Sequence, residues 1–264
     1  VALLTDPFWS NHSMLKVGFG RIDTVPSMVD PYLPALSGVR TVLVGHAHYD
    51  HMLDLPYVAP HLAEGAQVFG GDTLRHTLAP LDLPLELVSV NAATASPERE
   101  GRWLHPSSGG IRVLPIASGH TSHALGHTFW SRTLSADRAA PPARASHYQM
   151  GQTFAFLVDF LDGDTVAHRV YIQTTSRGHP DGFFSPSVLE DRSVDVALLP
   201  MDCAKIEAES GDSIIGFLNA PTVLFCHWEH LFRRRDKRRQ NIGVDLTAIC
   251  LLYTSDAADD LYRV

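Results

Sequence analysis

Cysteine is scarce in this chain: three residues, Cys203, Cys226 and Cys250, among 264. Three thiols cannot build a disulfide framework, so the core must be made by ordinary apolar burial, and the composition suits a reducing, cytoplasmic compartment. Long hydrophobic runs are missing too. None approaches the roughly 18 residues of a membrane-spanning helix, so no membrane span is expected. Basic charge is in deficit, with 21 Lys+Arg against 29 Asp+Glu and a formal net charge of -8, which argues against a protein that grips a phosphate backbone over a broad surface. Repeats and low-complexity tracts are absent. With 45% hydrophobic and 19% charged residues, the chain reads as a soluble globular protein rather than a disordered one.

Histidine is what the sequence has in excess, at 15 residues. Imidazole is the commonest transition-metal ligand, so the excess calls for a chemical explanation.

Apolar and β-branched runs bounded by Gly, Pro or Asp predict strands at 41 to 47, 66 to 71, 85 to 90, 110 to 118, 152 to 160, 168 to 175, 194 to 200 and 222 to 228, after a first strand that Asp6-Pro7 stops. Helices are expected at 51 to 64, at 72 to 79, at 187 to 192, at 212 to 220 and near 244. Such an order suggests two sheets with helices outside them. The segment 139 to 146 reads as a surface loop within the domain. The chain is expected to be truncated at both ends, because Val1 opens directly into the first strand. Residues 250 to 264, which contain Leu252-Tyr253-Thr254-Ser255-Asp256-Ala257-Ala258-Asp259-Asp260, resemble a translated sequencing adapter and are expected to be a non-native tail. Residues 1 to 249 are then one domain.

The segment that carries chemistry follows the strand at 41 to 45. Gly45 is followed by His46, His48, Asp50 and His51. Three imidazoles and a carboxylate are costly to crowd at the end of a buried strand unless a cation holds them, since each needs a polar partner once desolvated. Residues 46 and 48 share one side of an extended segment, while 50 and 51 lie where the chain turns into a helix, so the two pairs can face a common centre.

On the motif His46-Ala47-His48-Tyr49-Asp50-His51, the sequence resembles the metallo-β-lactamase-fold hydrolases. With Tyr49 and Leu53-Asp54, it looks most like the branch of ascorbate-phosphate lactonases and the phospholipase D acting on N-acylphosphatidylethanolamines. The resemblance implies a four-layer αββα sandwich of α/β class with one or two metal ions, Zn²⁺ or alternatively Mn or Fe, at one edge between the sheets. It implies His46, His48 and His120 as ligands of a first ion, with His123 and His127 as competitors for the third place or as neighbours in the pocket. Asp50, His51 and His227 would hold a second ion. Asp6 is either a support for a ligand imidazole or a simple turn former.

Thr174 stands where family members usually carry an Asp that bridges both ions, so the second site should be weaker or absent, unless Asp181 reaches in from the next loop. Cys226, next to His227, is read as a buried structural thiol. The remaining histidines, His12, His61, His76, His105, His147, His168, His179 and His230, are read as surface or satisfied structural residues.

The implied activity is hydrolysis of an ester, lactone, amide or phosphoester in a small-molecule substrate by a metal-bound hydroxide, with Asp50 orienting it or taking its proton. Phe8-Trp9, the loop 121 to 150, Phe183-Phe184 and Trp228-Glu229 are candidates either for an apolar wall or for core packing. The basic run 233 to 239 is either a solvated face or an anion clamp. Two other functions stay open: a metal-binding but catalytically degenerate member, suggested by Thr174, and a nucleic-acid-processing hydrolase, suggested only by the basic run. Oligomeric state is not legible.

Overall fold

Each strand alternates between two apolar environments, and this period of two builds the layers. In the computed structural model, which describes residues 1–123, 126–201, 203, 214–227 and 230–233, the strands are β1 Ala2–Thr5, β2 Val39–Leu43, β3 Gln67–Gly70, β4 Glu86–Ser89, β5 Ile111–Ser118, β6 Thr153–Asp162, β7 Thr165–Ile172, β8 Val196–Pro200 and β9 Thr222–Cys226. They form an all-parallel sheet in the order β1-β2-β3-β4 and a mixed sheet in the order β5-β6-β7-β8-β9.

Leu43 and Phe69 of the first sheet pack with Val113, Phe154, Phe156 and Val158 of the second in a core between the sheets. The opposite faces are buried separately. Val42, Val44 and Val68 pack with Met52, Leu55, Val58, Leu74 and Leu78 on one side. Leu114, Ile116, Leu157, Tyr171 and Leu199 pack with Ile214 and Leu218 on the other. The order is helices, sheet, sheet, helix, the four-layer α/β sandwich that the sequence suggested.

The helices are α1 Met14–Phe19, α2 Pro26–Val29, α3 Leu33–Leu36, α4 Tyr49–Met52, α5 Leu55–Val58, α6 Asp72–Leu78 and α7 Ile214–Leu218. Two of the expectations need correction. The helix at 51 to 64 is instead α4, α5 and a 3-10 turn Ala59–His61. Pro56 and Pro60 lack the N–H that a continuous helix needs there. Asp54, between the first two pieces, turns its carboxylate to Trp9 N–H (2.6 Å), Ser10 N–H (2.9 Å) and the Ser10 hydroxyl (2.6 Å). The segment 187 to 192 forms only the 3-10 turn Pro186–Leu189. The three short helices between residues 14 and 36 had no clear periodicity. The helix near 244 and the tail 250 to 264 lie outside the described residues. Among the described residues, no helix is long and apolar enough to cross a membrane.

Topology decides where the site sits. β5 and β7 both run antiparallel to β6, and β8 and β9 run parallel to β7. The C-terminal ends of β5, β7 and β9 therefore share one edge of the second sheet. The first sheet meets that edge with its own strand ends, since the Phe154 N–H donates to the Gly45 carbonyl at 2.8 Å.

Candidate metal centre

At that shared edge, five chain segments deliver polar side chains: Asp6 after β1, the 46-to-51 motif after β2, His120 after β5, Thr174 after β7 and His227 after β9. Open α/β sheets present ligands at the carboxyl ends of their strands, where loops are free to carry chemistry.

Three imidazoles converge there. His46 Nε2 lies 3.0 Å from His48 Nδ1, which lies 3.3 Å from His120 Nε2. The three donor atoms all fall within 4.8 Å of one another. His46 and His48 are each 1% exposed. His120 Nδ1 is 2.5 Å from the carbonyl of Thr121, so it donates there and leaves its Nε2 lone pair directed at the cluster. Nitrogen lone pairs this close repel unless a proton or a cation lies among them.

Burial and the neighbouring imidazoles push the protonated forms away. His48 is lowered to about 4, mainly by burial and against the pull of Asp50, and His120 to about 3 by burial and His48. His46 is lowered well below the ordinary histidine value, first by burial and then by His51, His48 and His120. At neutral pH all three are neutral, the form that ligates a metal.

The second half of the motif lies alongside. His51 donates from Nδ1 to Asp6 Oδ2 at 2.8 Å, and its Nε2 is buried without a hydrogen-bond partner, 3.8 Å from Asp50 Oδ2. Burial is the largest single influence on His51 and lowers it, but Asp6 and Asp50 together hold it above the ordinary value. Burial would raise Asp50, and the surrounding His51, His48 and His227 outweigh it and keep the carboxyl below its usual range. The His227 ring stacks on His51, with centroids 5.2 Å apart and planes at 20°.

Asp6 has the supporting geometry and not that of a bare turn. One oxygen fixes His51, and the other accepts the Gly45 N–H at 2.8 Å. Its φ of 42° is in the left-handed region, which Asp tolerates better than most residues. A β-carbon on Gly45 would lie 2.7 Å from Thr174 Oγ1, so glycine avoids a clash at the entry to the motif. Thr174 is buried at this edge, and its hydroxyl makes no hydrogen bond.

The other expected residues are placed less centrally. His123 lies beside the cluster, its ring 4.6 Å from that of His120 and 5.6 Å from that of His48, and its Nδ1 accepts the Phe129 N–H. His127 is exposed and lines a cleft next to His120. Asp181 does not reach the ions' place: its carboxylate binds Arg177 Nε at 3.0 Å. Phe183 and Phe184 belong to the core outside the second sheet and form no wall of the cleft. Phe8 packs edge-on to Tyr49 and Trp9 stacks on Tyr32, both in the core outside the first sheet. Cys226 is half-buried, with its sulfur 3.9 Å from the Gln173 carbonyl. Trp228, Glu229 and residues 234 to 239 of the basic run lie outside the described residues.

Two features had no legible signal. Trp130 leans on His48 and Tyr49, with ring centroids at 6.4 and 6.2 Å. The Arg177–Asp181 pair covers Gly119, the residue before His120. Both depend on loops whose path no periodicity encodes.

No protein-family model matches the chain, and no curated protein matches it in sequence. Among solved structures it is similar to Igni18, a metallo hydrolase from the hyperthermophilic archaeon Ignicoccus hospitalis KIN4/I, at 16% identity and a TM-score of 0.49 over 88% of this chain and 76% of that one. It is also similar to a possible metal-dependent hydrolase from Veillonella parvula DSM 2008, at 13% identity and a TM-score of 0.49 over 85% and 78% of the two chains. A third is the metallo-β-lactamase fold protein YhfI from Bacillus subtilis, at 14% identity and a TM-score of 0.43 over 78% and 72%.

Proposed function

We propose that this chain is a metal-dependent hydrolase that cleaves an ester, lactone, amide or phosphoester bond in a small-molecule substrate. The observation that carries the reading is the convergence of His46, His48 and His120, two buried imidazoles and one half-buried, with donor atoms within 4.8 Å. The orphaned Nε2 of His51 and the chemistry of the donor set fit a borderline-soft cation of the zinc type. His46, His48 and His120 would hold such an ion, which would supply Lewis acidity and make a water nucleophilic near pH 7.

The chain's own residues do the rest. Asp50, held ionised by the imidazoles around it, accepts or orients the proton of the attacking water. The Thr121 carbonyl fixes the tautomer of His120, and Asp6 fixes that of His51. Trp130 covers one side of His48 and helps exclude solvent.

Asp50, His51 and His227 would hold a second ion, and more weakly. The only group of three candidate ligands within 4.8 Å among the described residues is the first one, and Thr174 offers a neutral hydroxyl where a bridging charge would bind two cations. The same hydroxyl favours a second reading, a chain that binds metal without turnover.

The test combines elemental analysis with a panel of chromogenic ester, lactone, β-lactam and phosphodiester substrates. One equivalent of tightly bound metal, with turnover of at least one substrate abolished by a chelator and by His48→Ala, is the expected result. Metal without any turnover supports the inert reading. A purified chain that holds no transition metal and takes none up overturns both.

A further inference from the structure

A cleft of about 700 Å³ opens beside His120, lined by Arg99, Arg177, His127 and Gln152 among others, with no acidic side chain among its described lining residues. Asp181, just behind the lining, balances Arg177, so the two guanidinium groups leave the wall with positive charge to spare in a chain of net charge -8.

The two arginines are held by different means. Arg177 is fixed by its Nε bond to Asp181 at 3.0 Å, and its terminal nitrogens make no hydrogen bond to a described residue. The pair lies directly over Gly119: a β-carbon there would meet Asp181 Oδ2 at 1.8 Å and Arg177 Nε at 2.6 Å. A side chain at 119 would push the guanidinium off the backbone next to His120. The loop that bears it is anchored, because the Gly182 N–H donates to the Ala117 carbonyl at 2.8 Å and Gln173 Nε2 donates to the Asp181 carbonyl at 3.3 Å. Arg99 sits on a turn closed by two backbone bonds with Ser96, at 2.8 and 3.1 Å, and its side chain is exposed, with no ion pair or hydrogen bond to a described residue.

We propose that this cleft receives an anionic substituent of the substrate, a carboxylate or a phosphate, between the guanidinium groups of Arg177 and Arg99. The proposal rests on the hydrolase reading, which makes His120 the border between the reacting bond and the cleft. Asp181 pre-orients the Arg177 fork, so little side-chain freedom is lost when an anion docks, and Arg99 adds the second positive charge.

The experiment is calorimetric titration of the metal-loaded protein at low ionic strength with two probes, succinate and inorganic phosphate, in the wild type, Arg99→Gln and Arg99→Gln/Arg177→Gln. Arg99 is exposed and makes no side-chain bond to a described residue, so its single variant tests the site without endangering the fold. We expect one probe or both to bind the wild type and to weaken about 10- to 100-fold in the double variant at unchanged metal content, with Arg99→Gln in between. The stronger probe tells carboxylate from phosphate. Equal binding to wild type and double variant places the anion on the metal and overturns the proposal, as does the absence of binding by either probe up to about 10 mM. Failure to take up metal overturns the hydrolase reading, and the titration still decides the arginine site on the same sample.

Discussion

The two ends of the five-stranded sheet treat buried polar groups in opposite ways. At the far end from the site, Arg112, Asp159 and Arg169 face one another across β5, β6 and β7 in a cross-strand row. Arg169 and Asp159 are fully buried, and every nitrogen of the Arg169 guanidinium is bonded: Nε and Nη2 to Asp159 at 2.6 and 2.9 Å, and Nη1 to the carbonyls of Val188 and Arg192 at 2.7 and 2.6 Å. Arg112 closes the row on Asp159 at 2.8 Å and lies over the Trp103 ring. At the site end, His46 Nδ1, His48 Nε2, His51 Nε2 and Thr174 Oγ1 are buried with no hydrogen-bond partner. Burial is equal at both ends, so burial alone does not mark function. What distinguishes the site end is convergence: Arg169 is bonded at every guanidinium nitrogen, although Arg192 Nε beside it is not, whereas His46, His48 and His120 bring three nitrogen donors within 4.8 Å of one another.

The largest effect should come from opening the closed network. Asp159→Ala strands a buried guanidinium and should cost about 3–5 kcal/mol in urea unfolding. Its folded fraction should still take up metal in the normal ratio. Loss of metal binding in that variant would mean that the two ends are not independent, and the comparison would break.

The next effect tests the support behind the open cluster. Asp6→Asn keeps an oxygen for the Gly45 N–H but presents an N–H to His51 Nδ1, which drives the ring proton to Nε2. Affinity for the second, weaker ion should fall about 10- to 100-fold by competition with a chelating dye, with the tight ion retained. An unchanged second affinity would return Asp6 to the status of a turn former.

Crowding at the motif entry comes third. Gly45→Ala should cost about 1–3 kcal/mol because its new methyl meets the Thr174 hydroxyl, and most of that should be recovered in Gly45→Ala/Thr174→Ala. A double-mutant cycle with no coupling would show that the two residues do not share the space.

The smallest effect is on the rim of the closed network. Burial would raise the Asp195 carboxyl, but bonds from the Arg169 N–H and from Arg192 hold it below the ordinary value of 3.8. A depressed carboxyl stabilises the fold above that value, and the contribution is lost as the pH falls through the lower folded value. Asp195→Asn should therefore cost under about 1 kcal/mol at pH 7, with the gap to wild type closing in acid. A gap that widens in acid would reverse the assigned sign.

Much of the frame was legible because its signals are local. Each strand shows as a β-branched run between breakers, and His46, His48, Asp50 and His51 are crowded within six residues that no ordinary turn requires. His120 and His227 were legible only through the family resemblance, since each is a lone histidine after a strand. The helix at 51 to 64 misled because its apolar residues suit a helix while Pro56, Pro60 and the capture of Asp54 by Ser10, 44 residues away, break it.

By itself the sequence determined the strands, the alternation that sorts their side chains into three apolar layers, and the chemical type of the site. These follow from spacing along the chain. The tertiary structure decided which of two meanings applied to Asp6, that Asp181 serves Arg177, that Phe183 and Phe184 are core, and that Gly45 and Gly119 are closely overlaid by Thr174 and by the Arg177–Asp181 pair. Each of those rests on a contact between residues far apart in sequence or on separate loops, and such contacts are set by how the two sheets pack edge to edge, which no local pattern of residues encodes.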